Sequence, residues 1–239
     1  MTTHAHAVWP EQIRLPGQAA AHPGPVDMAM MYLMHHAFRR DLAGFAAAAG
    51  TTPVADRESW RALAERWELF SFALHHHHTG EDNGLWPALL DRADEQGRAV
   101  LEAMEAEHEE IDPTLEACTA GFARLAGHAD EDARCALSVR LVAARERLRD
   151  HLRHEETEAI ELIQALLTQE EWEAIEKEHF ASGVAFRNVV ALVPWVLHEV
   201  PGPIRRELFA KTGSMHRLMW RFSRKGFEQR EAVAFRYVD

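Results

Sequence analysis

The sequence predicts an all-α protein, an up-and-down four-helix bundle with a C-terminal helical extension. Apolar residues recur at helical spacing along most of the 239 residues, and strand signals are almost absent. Glycine, proline and helix-capping residues divide this pattern into four long segments and several shorter ones. The predicted parts are an extended lead-in at 1–25, the bundle at 26–169 and the extension at 170–239.

The lead-in contains four prolines, which favour an extended segment strapped over the surface. The first helix is predicted at about 26–49, because Asp27 lies near its start and Gly50 is a natural stop. The second begins near Asp56. Its second half is predicted to bend at Gly80, Gly84 and Pro87.

The third helix is predicted at about 97–125, with a kink and no break at Pro113, because the apolar spacing continues past it. The fourth is predicted at about 131–167. Thr168 is typical of an N-cap, since acidic residues follow it in the next turn. The extension is predicted to consist of helical pieces separated at Pro194, Pro201, Pro203 and Gly213.

The overall charge excludes some partners. The formal net charge of −12 argues against binding nucleic acid or an anionic membrane, since both need a basic surface. Residues 204–230 are locally basic, and a helix packed on the acidic bundle is favoured over a nucleic-acid role. No apolar run approaches the ~20 residues that span a bilayer. Without a signal-peptide pattern, the protein is expected to be cytoplasmic, with Cys118 and Cys135 reduced and buried.

Two HxxxE units are the candidate metal-binding motifs. His77 and Glu81 are four residues apart on the second helix, and His151 and Glu155 are four apart on the fourth. Residues at this spacing lie on one helix face, so each unit offers one imidazole and one carboxylate in one direction. The third helix supplies His108. The first helix supplies His35 or His36, of which His35 is favoured.

These residues can meet at one level of a bundle. His108 stands about 19 residues before Gly127, and His151 about 20 after Glu131, so at ~1.5 Å per residue the two are level across their turn. Carboxylates with two oxygens can bridge two cations while imidazoles bind at either end. Mixed nitrogen and oxygen ligands suit Fe, Mn or Zn, and a carboxylate-bridged metal pair is typical of helical bundles.

At these residues the sequence resembles the hemerythrin-like (HHE cation-binding) family, whose pattern across four helices is H…HxxxE…H…HxxxE. The stretches HHAFRRDL at 35–42 and HHHHTGEDNGLWPALL at 75–90 are similar to its first two helices. The resemblance covers about 26–167 and implies two iron ions. It implies bridging by Glu81 and Glu155. It also implies terminal ligation by His35, His77, His108 and His151.

The third helix departs from the oxygen-carrying members, which have two histidines there, four residues apart. Met104 and Asp112 occupy the positions four away from His108. His78 could replace the missing imidazole, because iron-sensing members use the residue after the second-helix histidine as a ligand. The alternative is that His78 supports the site from outside the ligand set.

Other residues permit different interpretations. Glu105 with His108 and Glu176 with His179 spell ExxH, the unit of ferritin-like sites, but that reading leaves both HxxxE units unexplained. Asp82 is either a hydrogen-bond partner of a ligating imidazole or an exposed carboxylate. His154 is expected outside the ligand set. The tryptophans after the lead-in are expected in the core.

Two functions remain open on the sequence. The first is an enzyme with oxidase-, peroxidase- or catalase-like chemistry, since an iron pair with an open position can bind O2 or peroxide. The third-helix departure favours this enzyme. The second is a non-catalytic protein that binds or senses O2, NO or iron. The expected partners are such small molecules, in a monomer or homodimer, and manganese and zinc remain compatible with the ligands.

Overall fold

A computed structural model describes residues 9–238, and within this range the chain is helical without a β-strand. The predicted all-α fold is confirmed. The helices of the bundle are α1 (Ala29–Thr51), α2 (Arg57–Gly80), α3 (Trp86–Leu90), α4 (Glu95–Gly127), α5 (Glu131–His154) and α6 (Ile160–Leu166). A first π-helical turn, Glu81–Leu85, joins α2 to α3, and a second, Glu155–Ala159, joins α5 to α6.

Side-chain caps explain where the long helices begin. The side chain of Asp56 accepts a hydrogen bond from the backbone of Ser59, and Asp94 and Asp130 cap α4 and α5 in the same way. Each cap satisfies a backbone N–H that has no partner within the helix. α4 runs through Pro113 without a break, as the continuing apolar spacing predicted.

Four long segments pack as an up-and-down bundle. α1 lies against α5, α2 against α4, and α4 against α5. Below the level of the histidines, aromatic rings fill the core, and Phe45 contacts Trp67 and Phe122 at centroid distances of 5.1 and 5.5 Å. Such large buried rings contribute much of the apolar burial that holds a bundle together.

The extension forms further helices that pack on the bundle. They are α7 (Gln169–Ile175), a third π-helical turn (Glu176–Ala181), α8 (Phe186–Val196), α9 (Gly202–Thr212) and α10 (Ser214–Ala234). α10 lies against α2 and α8, and α8 also contacts α1. Thr168 caps α7 in a capping box with Glu171, as predicted.

Three expectations need correction. Pro194 does not separate two helices but lies inside α8, whose last turn ends two residues later. Cys118 is buried, whereas Cys135 is exposed because it lies on the outer face of α5. Trp220 is only partly buried and does not lie in the core. The guanidinium groups of Arg205 and Arg224 lie over its ring.

The lead-in has no helix between residue 9 and α1, and residues 1–8 of it lie outside the described part. Hydrogen bonds attach it to the fourth long segment. The side chain of Gln164 accepts from the backbone of Val26 and donates to its carbonyl, and the backbone of Ala19 donates to Glu156. The boundaries at 25 and 169 stay predictions. No helix in residues 9–238 is both long and apolar enough to cross a membrane.

Candidate metal centre

The structure brings all seven predicted ligands together in the interior of the bundle. They lie on four different long segments and are almost completely buried. Their donor atoms form two groups, each with its atoms within 4.8 Å of one another. One group is His35, His77, Glu81 and Glu155, and the other is His78, His108 and His151.

The two carboxylates lie between these groups. Glu81 Oε1 is 3.1 Å from His77 Nε2, while its Oε2 is 3.5 Å from His108 Nε2. Glu155 Oε2 is 3.1 Å from His35 Nε2 and 4.0 Å from His151 Nε2. Each carboxylate therefore faces imidazoles of both groups, as a bridging ligand of two cations would.

His78 lies within the second group and not beside it. Its ring stacks on that of His108, with centroids 3.9 Å apart and planes 11° apart. Its nearest carboxylate oxygen belongs to Asp112, 3.9 Å away and beyond hydrogen-bond distance. His78 therefore lies next to His108 and His151, among the imidazoles of the second group.

Both glutamates stand at the first residue of a π-helical turn. The backbone N–H of Glu81 is shared between the carbonyls of His77 and His78, and that of Glu155 between those of His151 and Leu152. A π-helical turn adds one residue to a helix, which changes the direction of the side chains that follow, and such turns are frequent at functional sites.

Buried donor atoms without hydrogen bonds at the centre indicate whether a cation would fit there. Buried atoms without a hydrogen bond include Nε2 of His35 and His77, both ring nitrogens of His78, and all four carboxylate oxygens of Glu81 and Glu155. Each buried polar atom left unpaired costs about 1–3 kcal/mol, so these atoms together destabilise the metal-free fold. Converging nitrogen and carboxylate donors fit divalent or trivalent cations.

The two carboxyls have opposite pKa shifts. Burial raises the pKa of Glu81 well above its ordinary value, and the charges of Glu155 and Asp82 raise it further. Burial acts in the same direction on Glu155, but the nearby charge of His35 outweighs it and holds the pKa of Glu155 below its usual range. Burial lowers the pKa of His35, yet Glu155 and Glu156 raise that pKa to about 9.

The lowered pKa values of His77, His78 and His151 favour neutral imidazoles. Burial lowers the pKa of His77 well below its usual value, lowers that of His151, and lowers that of His78 to about 3. A neutral imidazole has a free lone pair, which is the form that binds a cation. The raised pKa values of Glu81 and His35 show that the metal-free site favours protons where a cation would bring positive charge.

Carboxylates outside the two groups orient three of the imidazoles. Nδ1 of His35 donates to Glu156 at 3.0 Å. Nδ1 of His108 donates to Asp82 and Nδ1 of His151 donates to Glu107, both at 2.8 Å. In each case the bond at Nδ1 leaves Nε2 directed at the centre, and such bonds make a ligand more basic.

Sequence reasoning missed Glu107 and Glu156. Glu107 also accepts from His154 at 2.8 Å, so it joins two histidines of α5 from a neighbouring helix. Glu156 follows a predicted ligand directly, and only the second π-helical turn brings it to His35. Their positions next to His108 and Glu155 in the sequence were the one available signal.

The rival ligands do not join the centre. His36 is buried, but its ring lies outside both groups, and burial lowers its pKa. Glu105 is exposed on α4, so the ferritin-like arrangement lacks one of its carboxylates. His76 donates from Nε2 to the carbonyl of Phe180 at 2.6 Å.

The fold and the buried donors define a four-helix bundle protein with a candidate site for cations. Residues 27–163 match the family described as hemerythrin HHE cation binding domain. This match covers more than half of the chain, and the protein belongs to that family. No match to the chain was found among curated proteins or among solved structures.

Proposed function

We propose that the chain is a non-haem di-iron protein that binds O2 or peroxide and activates it for oxidase-, peroxidase- or catalase-like chemistry. The observation that supports this most directly is the position of Glu81, whose two oxygens face the two groups of imidazoles separately. In this proposal the carboxylates of Glu81 and Glu155 would hold both ions. The imidazoles of His35, His77, His78, His108 and His151 would complete the ligand set.

A bound iron pair would supply redox chemistry in two-electron steps at an open coordination position. The chain's own residues would hold and isolate it. Glu107, Glu156 and Asp82 orient imidazoles through Nδ1, and buried Phe38 excludes water, with its ring 5.2 Å from that of His77. Burial raises the pKa of Glu81, so iron would compete with a proton for this carboxyl when it binds.

The second candidate is a carrier or sensor of O2, NO or iron. One observation favours it, because His78 raises the imidazole donors of the centre to five. The argument for catalysis from the third-helix departure is correspondingly weaker. The two candidates predict different behaviour toward peroxide.

The test measures iron per chain and the optical spectrum of the full-length protein before and after hydrogen peroxide. Two irons per chain with loss of peroxide would support the enzyme. Two irons with stable peroxide and a reversible O2 spectrum would support the carrier or sensor. His78→Ala is expected to lower the iron content, and His75→Ala, at the exposed neighbour, is the matched control. Protein without stoichiometric metal would contradict both candidates.

A further inference from the structure

A cavity of about 570 Å³ lies between the bundle and the extension. Its floor is buried and is formed by α1 and α2, through Met31, Ala73 and His77. Its walls come from the third π-helical turn and α8, through Phe180 and Leu192. The floor therefore includes an imidazole of the candidate metal centre, and the walls do not belong to the bundle.

The wall next to the centre is held in place by specific contacts. The ring of Phe180 lies 6.0 Å from that of His77, and its carbonyl accepts a hydrogen bond from His76. A Cβ at Gly80 would lie 2.8 Å from the Phe180 ring, so glycine at this position of α2 is what admits the ring. The cavity wall is thus fitted to the helix that carries His77.

The walls lie outside the part of the chain that matches the family. The match to the family ends at residue 163, and Trp172, Phe180 and Leu192 all come after it. The family's bundle alone would leave this face of α1 and α2 without the cover that makes a cavity. The extension therefore adds a chamber to one end of the candidate centre.

Size and composition indicate what the chamber holds. A volume of about 570 Å³ falls within the roughly 300–1,000 Å³ range of sites for organic ligands, and it greatly exceeds the ~30 Å³ of one water molecule. O2 or peroxide alone needs no such space. Aliphatic, methionine and aromatic side chains together form most of the lining, and methionine adapts readily to the shape of an apolar guest.

Charged groups are confined to the mouth. Glu173 and Lys177 are exposed there, and His216 is exposed on α10. Glu176 is half-buried, and burial followed by the charges of Asp27 and Glu173 raises its pKa. Lys177 offsets part of the negative charge of the two carboxyls, and the buried part of the lining contains no Asp, Glu, Lys or Arg side chain, so the interior offers an ionic guest of either sign no partner.

We infer that this chamber binds a neutral, apolar organic molecule and holds it against the ring of His77. That the molecule is a substrate of the metal centre rests on the function proposed above. Its binding does not, because the chamber is formed by side chains that are present without metal.

The test is titration of the full-length protein with the neutral dye N-phenylnaphthylamine, whose fluorescence rises in an apolar site. Val189→Trp puts an indole into the chamber from its wall on α8 and is expected to weaken dye binding about ten-fold, or 1.4 kcal/mol. The matched control is Val139→Trp, at an exposed position of α5, which should leave binding unchanged.

Ala181→Trp provides a second test, because Ala181 is an exposed residue of the chamber where a large side chain leaves the core intact. It should also weaken the dye. Absence of binding to the unmodified protein, or equal binding by all three variants, would overturn the inference. Iron content is measured on the same samples. Iron without dye binding would contradict only the inference that the chamber binds an apolar molecule. Dye binding without iron would contradict only the proposed di-iron function.

Discussion

At the scale of single residues, Glu81 and Glu155 lie in one buried space with opposite pKa shifts. Glu155 keeps its charge because His35 stands 3.1 Å away. Glu81 has no hydrogen-bond partner for either oxygen, so folding favours its neutral form. Holding an unpaired carboxyl there lowers stability in the absence of metal, and a bridging cation would reverse that cost.

Replacing Glu81 by Gln is expected to stabilise the metal-free protein at pH 7 by about 1–3 kcal/mol, because folding favours a protonated Glu81 at a pH where the unfolded carboxyl is ionised, and glutamine needs no proton. The direction in which this stability difference changes with pH follows from proton binding. A carboxyl whose pKa rises on folding binds more protons in the folded chain, so its cost appears as pH rises from the unfolded pKa of about 4.3 toward the folded value.

Urea unfolding of chelator-treated protein across pH measures this effect. Glu102→Gln, at an exposed position of α4, is the control and should change little. The same Glu81→Gln protein should retain less iron. Equal or lower stability of the metal-free variant at pH 7 would contradict the account of Glu81.

Glu156 is a positioning residue for His35. It accepts from His35 Nδ1, from Arg39 at 2.8 Å and from the backbone of Ala19 at 2.7 Å. Glu156→Gln replaces a charged acceptor by a neutral one, and iron affinity should fall about 10–100-fold.

Competition with a chelator over a range of pH measures this affinity, and it separates loss of His35 basicity from general unfolding. Glu161→Gln, exposed on α6, is the matched control. Unchanged affinity in Glu156→Gln would show that the hydrogen bond to His35 does not support the centre.

At the scale of helices, glycines on the second long segment allow the extension to approach the centre. A Cβ at Gly84 would lie 2.4 Å from the ring of His179 and 2.9 Å from its Cβ, so neither helix can accommodate alanine without moving. The first and third π-helical turns therefore meet at a close contact that depends on glycine.

Gly84→Ala is expected to destabilise the protein by about 1–3 kcal/mol, the usual cost of overpacking, although alanine favours helix. Gly226→Ala in α10 is the control, because the nearest atom to its added Cβ is Arg230 Nη1 at 3.6 Å. That variant should be neutral or more stable by about 0.5–1 kcal/mol. Thermal unfolding of both proteins measures whether each substitution lowers or raises the stability.

At the scale of the whole molecule, a buried polar network joins the extension to the bundle. Asp41 of α1 accepts from Arg66 of α2 and from the indole N–H of Trp195 in α8, both at 2.7 Å. Arg66 also donates to Glu231 of α10. Burial raises the pKa of Asp41, but the charges of Arg66 and Arg40 outweigh it and hold that pKa below its usual range.

Arg66→Ala removes one partner of a buried ion pair, and the expected loss of stability is about 3–5 kcal/mol. Arg61→Ala, at an exposed position of the same helix, should cost little. Chemical unfolding measures both. A loss below about 1 kcal/mol in Arg66→Ala would show that apolar packing alone attaches the extension.

Much of this architecture could be predicted from local chemistry. Asp56 and Thr168 cap helices where the sequence indicated. The HxxxE spacing with level-matching placed His77, Glu81, His108, His151 and Glu155 in one region, whereas the choice of His35 and His78 rested on the family resemblance. The second π-helical turn could not be predicted, because it contains no glycine or proline that marks it. Glu107, Glu156 and the chamber depend on contacts between distant segments, which periodicity does not encode. Cys135 was misplaced because composition says nothing about which helix face a residue takes.

The hydrogen bond from Ala19 to Glu156 spans 137 residues of the chain. Closing so long a loop is slow and entropically costly, so it follows the formation of local helices. A nascent chain therefore exposes His35 well before the carboxylate that orients it has been synthesised. We expect cation loading to follow assembly of the bundle and not to start it, so that in refolding experiments iron uptake lags the recovery of helical circular dichroism. Uptake that precedes this recovery would contradict the order.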